Sequence, residues 1–205
     1  MQILAIIGQK GGVGKTTTAL GLAVEASRRG SAVAIVDLDP QATAANWSDR
    51  REDKESPAVV SCQVSRLNQV LEAAKQQGCT LAIIDTAGKS TDAAIAAAKA
   101  AHKVILPIQP QMFDLETLQN VREILVLAGN PAAAVVINRA AVQGRRHEET
   151  QEAAQAMGFI VSPVVIFQRA AHGDAGNIGL TAAEYEPKGK AAQEIAALFD
   201  YISNL

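Results

Sequence analysis

The stretch IIGQKGGVGKTTT, residues 6–18, constrains this chain more than any other, because a strand must deliver it and a helix must carry it away. An apolar run over residues 2–7 leads in, and Leu20, Ala23, Val24 and Ser27 continue out with helical spacing until Gly30 supplies a left-handed stop. Gly11, Gly12 and Gly14 let the backbone wrap without Cβ clashes, so its N–H groups converge on a phosphate chain at a helix N-terminus. In that setting the Lys15 ammonium reaches the β- and γ-phosphates and the Thr16 hydroxyl meets Mg2+. Thr17 donates to the α-phosphate, and Val13 completes the loop. The expected ligand of residues 8–17 is therefore ATP with Mg2+.

The rest of the chain repeats the alternation of apolar run and amphipathic stretch. Residues 2–7, 32–36, 59–64, 81–84, 104–108, 134–137 and 159–166 read as strands, and residues 64–77, 92–101, 115–128, 148–157 and 188–202 as further helices. Several strands are continuous Val, Ile and Leu runs, which suits a sheet covered on both faces. The predicted fold class is α/β: a doubly wound, mostly parallel β-sheet with helices on both faces. No repeat, low-complexity tract or composition break divides the chain, so residues 1–205 are expected to form one domain.

Bulk properties exclude several classes. No run reaches the ~18 apolar residues of a bilayer span, and residues 3–7 are too short for a secretory leader, so a cytoplasmic protein without membrane attachment is expected. Cys62 and Cys79 lie in different elements without a CxxC or a His cluster, poor material for a metal centre. A net charge of −2 leaves any nucleic-acid contact to a local patch.

Carboxylates then fall where a nucleotide needs them. AIVDLDPQ puts Asp37 and Asp39 at the C-terminal end of one strand, and LAIIDTAG ends another at Asp85, the edge where doubly wound sheets hold ligands. Asp37 and Asp39 are two apart, so an extended backbone points both to one side. Gly88 gives the loop after Asp85 freedom to move between nucleotide states. Asn138, ending AVVIN, carries an amide able to donate to and accept from an adenine.

The glycine-rich loop departs from the ordinary pattern at one place: Gln9 stands where the first glycine of G-x-x-x-x-G-K-[ST] belongs, and Lys10 is an extra lysine. KGGVGKT resembles the deviant loop of the ParA/MinD family of ATPases. That resemblance implies a nucleotide-sandwich homodimer in which Lys10 reaches the other subunit's γ-phosphate, where a second cation stabilises developing charge. It implies that Asp39 orients or deprotonates the attacking water, that Asp85 holds Mg2+ through a water, and that Asp37 supports the magnesium shell. LPIQPQMFDL resembles the family's loop near the dimer interface.

Within the family, the tail KAAQEIAALFDYISNL has no Lys or Arg after Lys190, unlike the basic membrane helix of MinD-type proteins. Both cysteines precede the Asp85 strand, unlike the cluster ligands of nitrogenase iron protein. The chain most resembles small ParA-type partition ATPases lacking an N-terminal helix-turn-helix domain. Such proteins, when ATP-bound, coat nucleoid DNA without sequence preference until a cargo-bound adaptor of ParB type triggers hydrolysis. Arg139, Arg145, Arg146, Arg169, Lys188 and Lys190 are the candidate DNA contacts, although Glu148, Glu149, Glu152, Asp174, Glu184 and Glu186 lie among them. Two other readings stay open: a switch recruiting a protein machine, and a ligase or kinase passing the γ-phosphate to a small molecule or protein.

Overall fold

A computed structural model describes residues 1–51 and 56–205. Its strands are Gln2–Ile6 (β1), Val33–Asp37 (β2), Ala58–Ser61 (β3), Leu81–Asp85 (β4), Lys103–Ile108 (β5) and Ala132–Ile137 (β6). All pair in parallel, in the order β3-β2-β4-β1-β5-β6. The five side chains of β2 are all buried, whereas β3, at the edge, is largely exposed. Continuous apolar runs thus fill the sheet centre, as the sequence predicts.

Strand periodicity divides the core between two layers. Ala5 and Ile7 face one side with Leu71 of α3 (Leu67–Gln76), Ala97 of α4 (Thr91–Ala100), Leu118 of α5 (Met112–Leu127) and Ala154 of α6 (Arg146–Ala156). Leu4 and Ile6 face the other with Leu22 of α1 (Lys15–Arg28), Trp47 of α2 (Thr43–Asp49) and Leu198 of α9 (Lys190–Ser203). Burying one such Leu or Ile stabilises the fold by about 1.5–3 kcal/mol, so each layer is held by many comparable contributions.

Two expectations about elements are corrected. Residues 159–166 form no continuous strand: an isolated bridge joins Val161 to Val135 of β6, the Ile166 amide donates to the Ile137 carbonyl at 2.9 Å, and a second isolated bridge, Ala140 with Phe167, lies just beyond both segments. Pro163 lies between them and has no N–H to continue a ladder. The helix expected from residue 64 begins as a 3-10 turn, Val64–Arg66, before α3.

Three short helices escaped periodicity: α2, α7 (Ala170–Asn177) and α8 (Ala182–Tyr185). Each rests on polar fixtures or neighbours rather than on a long apolar stripe. α8 opens with a capping box between Thr181 and Glu184, a signal readable in the sequence. Trp47 ties α2 to this region by donating to the Leu180 carbonyl at 2.9 Å, and the Arg51 guanidinium stacks on its ring and pairs with Glu184. Among the described residues no helix is long and apolar enough to cross a membrane.

The topology places the site. β1 lies between β4 and β5, and the register aligns Ile6 and Asp37 with Asp85. The glycine-rich loop leaving β1 therefore opens beside the carboxyl ends of β2 and β4.

Candidate nucleotide-binding site

The loop turns into α1 at Gly14, whose φ of +87° lies in the left-handed region. A Cβ there would also come within 2.4 Å of Asn138 Nδ2. Gly14 offers α1 no side-chain cap, and the first-turn amides of Lys15, Thr16 and Thr17 have no acceptor within the helix. Three N–H groups and the positive end of α1 are thus directed at one place, a ready anion site. Lys15 is buried, its Nζ donating to the Lys10 carbonyl at 2.9 Å. Burial pulls its pKa down, while the nearby charges of Asp85 and Asp39 oppose that shift.

The loop after β4 lies against this one. A Cβ on Gly88 would meet the Gly11 amide nitrogen and the Lys10 carbonyl at 2.8 Å, so only glycine permits the two backbones to approach. The sequence reading assigns Gly88 conformational freedom; the structure adds a steric reason.

Asp85 is fully buried and accepts from the Thr16 hydroxyl through Oδ2 at 2.6 Å. Its Oδ1 is buried with no hydrogen-bond partner among the described residues. A hydroxyl and a carboxylate with an unused oxygen suit Mg2+, which takes few protein oxygens and fills its shell with water and phosphate. No group of three or more His, Cys, Asp or Glu side chains able to hold a metal ion occurs among the described residues.

Burial pushes the Asp85 carboxyl up to about 7; the Thr16 hydrogen bond opposes this and repulsion from Asp37 adds to it. The folded chain therefore holds a proton on Asp85 that the unfolded chain has released, from about pH 4 to about pH 7. Stability of the ligand-free protein should fall as pH rises through that window, by up to ~3 kcal/mol from this group. Thermal melting at pH 5 and pH 8 checks it: Asp85→Asn should flatten the dependence, and an undiminished slope would refute the assignment.

The geometry gives Asp37 a different task from the expected magnesium shell. Its Oδ1 accepts from the Asp39 amide at 2.9 Å, and its Oδ2 from the amides of Ala44 at 2.9 Å and Ala45 at 3.3 Å. With both oxygens turned to backbone, Asp37 anchors the start of α2 and shapes the turn carrying Asp39. The i, i+2 argument failed because β2 ends at Asp37, leaving Asp39 outside the extended register. Asp39 is half-buried, and its Oδ1 accepts from the Gln41 amide at 2.9 Å.

Asn138, the expected adenine contact, also has a task within the loop. Its Nδ2 donates to the Val13 carbonyl at 2.9 Å and to the Thr18 hydroxyl at 3.2 Å, while its Oδ1 accepts from the Arg139 amide at 2.9 Å. It braces the phosphate loop from beneath. A cavity of about 320 Å3, within the size range of small-ligand pockets, opens beside it and is lined by Thr17, Thr18, Asn138, Phe167 and Arg169.

Lys10 is half-exposed and pairs with Asp114 in the first turn of α5, with Gln111 Oε1 also accepting from its Nζ at 3.3 Å. Sequence reading marked the LPIQPQMFDL loop but not Asp114 itself. An acid in a first helical turn was legible; a lysine partner 104 residues away was not.

A profile of the CobQ/CobB/MinD/ParA nucleotide binding domain matches residues 4–180. The chain belongs to this family. Among its relatives is a maintenance of carboxysome distribution protein A from Gloeobacter kilaueensis, 30% identical over 96% of this chain and 89% of that protein. The chromosome-partitioning ATPase Soj of Thermus thermophilus is 29% identical over 58% of this chain and 62% of that protein. A chain of a MinC:MinD cell division protein complex from Aquifex aeolicus superposes with a TM-score of 0.82, covering 100% of this chain and 96% of that one, at 16% identity, which establishes a shared fold.

Within this family fold, the six basic candidates for DNA contact do not form one set. Arg169 is spent on Glu194, its Nε and Nη2 donating at 2.8 and 2.5 Å, and Arg139 donates to the Gly12 carbonyl at 2.7 Å. Arg145 pairs with Glu148 at 2.6 Å while staying exposed. Arg146, Lys188 and Lys190 are exposed. Linear sequence could not separate these cases, because only Glu148 lies among the acids near the patch, while Arg169 finds Glu194 25 residues away and Arg139 finds a backbone carbonyl of the glycine-rich loop.

Proposed function

We propose that this chain is a positioning ATPase of the ParA type, an ATP-bound homodimer that holds DNA without sequence preference and lets go on hydrolysis. The observation that carries this reading is the two-lysine loop, with Lys15 beside the Thr16–Asp85 pair and Lys10 at the rim. Lys15 and the first-turn amides of α1 hold the phosphate chain, while Thr16 and Asp85 hold Mg2+. Magnesium, when bound, supplies a divalent charge that screens the β- and γ-phosphate oxygens. Asp39 positions a water for attack on the γ-phosphate and receives its proton.

Lys10 of each subunit serves the other's γ-phosphate, so two chains close over two nucleotides. Exposed Met112 and Phe113, beside the Gln111 that contacts Lys10, offer apolar surface for that closure. Arg146, Lys188 and Lys190, doubled in the dimer, neutralise DNA phosphates. The names of two relatives refer to carboxysome distribution and chromosome partitioning, and we infer the same class of work here, with an adaptor of ParB type as trigger and the nucleoid as the place of action.

A gel shift of nonspecific DNA by the protein with ATP and Mg2+ at low salt, absent with ADP, is the expected result. Lys10→Ala should bind ATP within a few-fold of the parent yet lose adaptor-stimulated hydrolysis by about 100-fold or more. Absence of both dimerisation and DNA binding in the presence of ATP would end this reading.

One observation favours a second reading, transfer of the γ-phosphate to a small molecule. An open cavity of about 820 Å3 adjoins Asp39, lined also by Cys62, Gln63, Lys89 and Ser90. Turnover that requires a small acceptor and ignores DNA would select it.

A further inference from the structure

We propose that Asp114 is the resting place of Lys10, a positioning carboxylate that keeps the second lysine inside its own subunit until a γ-phosphate competes for it. The inference rests on the sandwich-dimer reading above and names how that dimer is restrained. Asp114 is 1% exposed, and its two oxygens have distinct partners: Oδ2 accepts from the Gln109 amide at 2.7 Å, and Oδ1 takes the Lys10 ammonium. A carboxylate this buried is costly to leave without its counter-charge. Lys10 therefore leaves only for a partner that more than replaces Asp114, and a terminal phosphate, with more charge than one carboxylate, meets that condition. A diphosphate offers no such group at the reach of a second subunit.

Three contacts couple this resting place to the nucleotide site. Lys15 Nζ donates to the Lys10 carbonyl, so a phosphate that draws Lys15 away removes one restraint on Lys10. Gly88 packs on the Lys10 and Gly11 backbone, so the loop after Asp85 bears on the same residue. Gln111 holds Lys10 Nζ from the turn that exposes Met112 and Phe113, so a second copy covering that turn reaches the latch itself. Nucleotide and partner thus act on one ion pair from opposite sides.

Two variants move the latch in opposite directions. Asp114→Asn keeps the shape and the acceptor for Gln109 but removes the charge. Gln111→Glu, at an exposed position, adds a second carboxylate beside Lys10 and leaves the buried anchor intact. Sedimentation with a non-hydrolysable ATP analogue and Mg2+ reads the protein concentration at half-dimer. It should fall about tenfold for Asp114→Asn and rise about threefold for Gln111→Glu. In nucleotide-free protein, labelling of Lys10 by an amine reagent, read by peptide mass spectrometry, should quicken about fivefold in Asp114→Asn and slow in Gln111→Glu.

Unchanged Lys10 labelling and an unchanged half-dimer concentration in both variants would overturn the latch while leaving the dimer reading intact. Shifts of the same sign in both would also overturn it. A parent protein that stays monomeric with the analogue would overturn the dimer reading and the restraint with it. Should Asp114→Asn fail to fold, the Gln111→Glu results decide alone.

Discussion

Lys15→Met should weaken binding of Mg-ATP by about 100- to 1,000-fold while the protein stays folded, because it removes a buried cation aimed at the phosphates and replaces it with a side chain of similar length. The ligand-free protein tolerates the loss because the neighbouring Asp85, pushed up to about 7, needs little counter-charge near neutral pH. Titration calorimetry with Mg-ATP, beside circular dichroism to verify the fold, measures the effect. Affinity retained within threefold would remove Lys15 from the phosphate site.

Asp39→Ala should lower ATP hydrolysis by about 100- to 10,000-fold and leave ATP binding nearly intact, the pattern of a group that acts on the attacking water. The structure singles out Asp39 by what the other two carboxylates do. Asp37 has both oxygens on backbone amides, and Asp85 is committed to Thr16 on one side and offers its free oxygen to a metal on the other. Asp39 is half-buried, its charge acts on Lys15 and Asp85, and it opens a short turn to Ala42 rather than ending a strand. Single-turnover release of phosphate, paired with equilibrium nucleotide binding, separates the two effects. A variant that loses binding as steeply as turnover would assign Asp39 to the metal or phosphate instead.

Much of the architecture was legible because local rules and global packing agree. Strands buried on both faces read as continuous apolar runs, and the loop KGGVGKT can sit only between such a strand and a helix. The failures have local causes. Residues 159–166 are apolar enough for a strand, but Pro163 breaks the ladder. α2 lacks helical periodicity and is held instead by the Asp37 carboxylate on its first amides. At the site, Lys15, Thr16 and Asp85 were readable because chain order alone delivers them to one sheet edge. The tasks of Asp37 and Asn138 were not, since each side chain satisfies nearby backbone groups whose positions depend on how loops fold back.

The α/β class, the parallel sheet, the phosphate loop and the family were legible in residue order alone, because glycine spacing, strand period and helix period are properties of short segments. That Asp114 receives Lys10, that Asn138 braces the loop, that Gly88 must be small to touch Lys10, and that Arg169 is consumed by Glu194 became visible in the folded chain. Those are encounters between residues far apart in the chain, and a hydrogen bond or ion pair depends on ångström-scale distances that no spacing in sequence encodes.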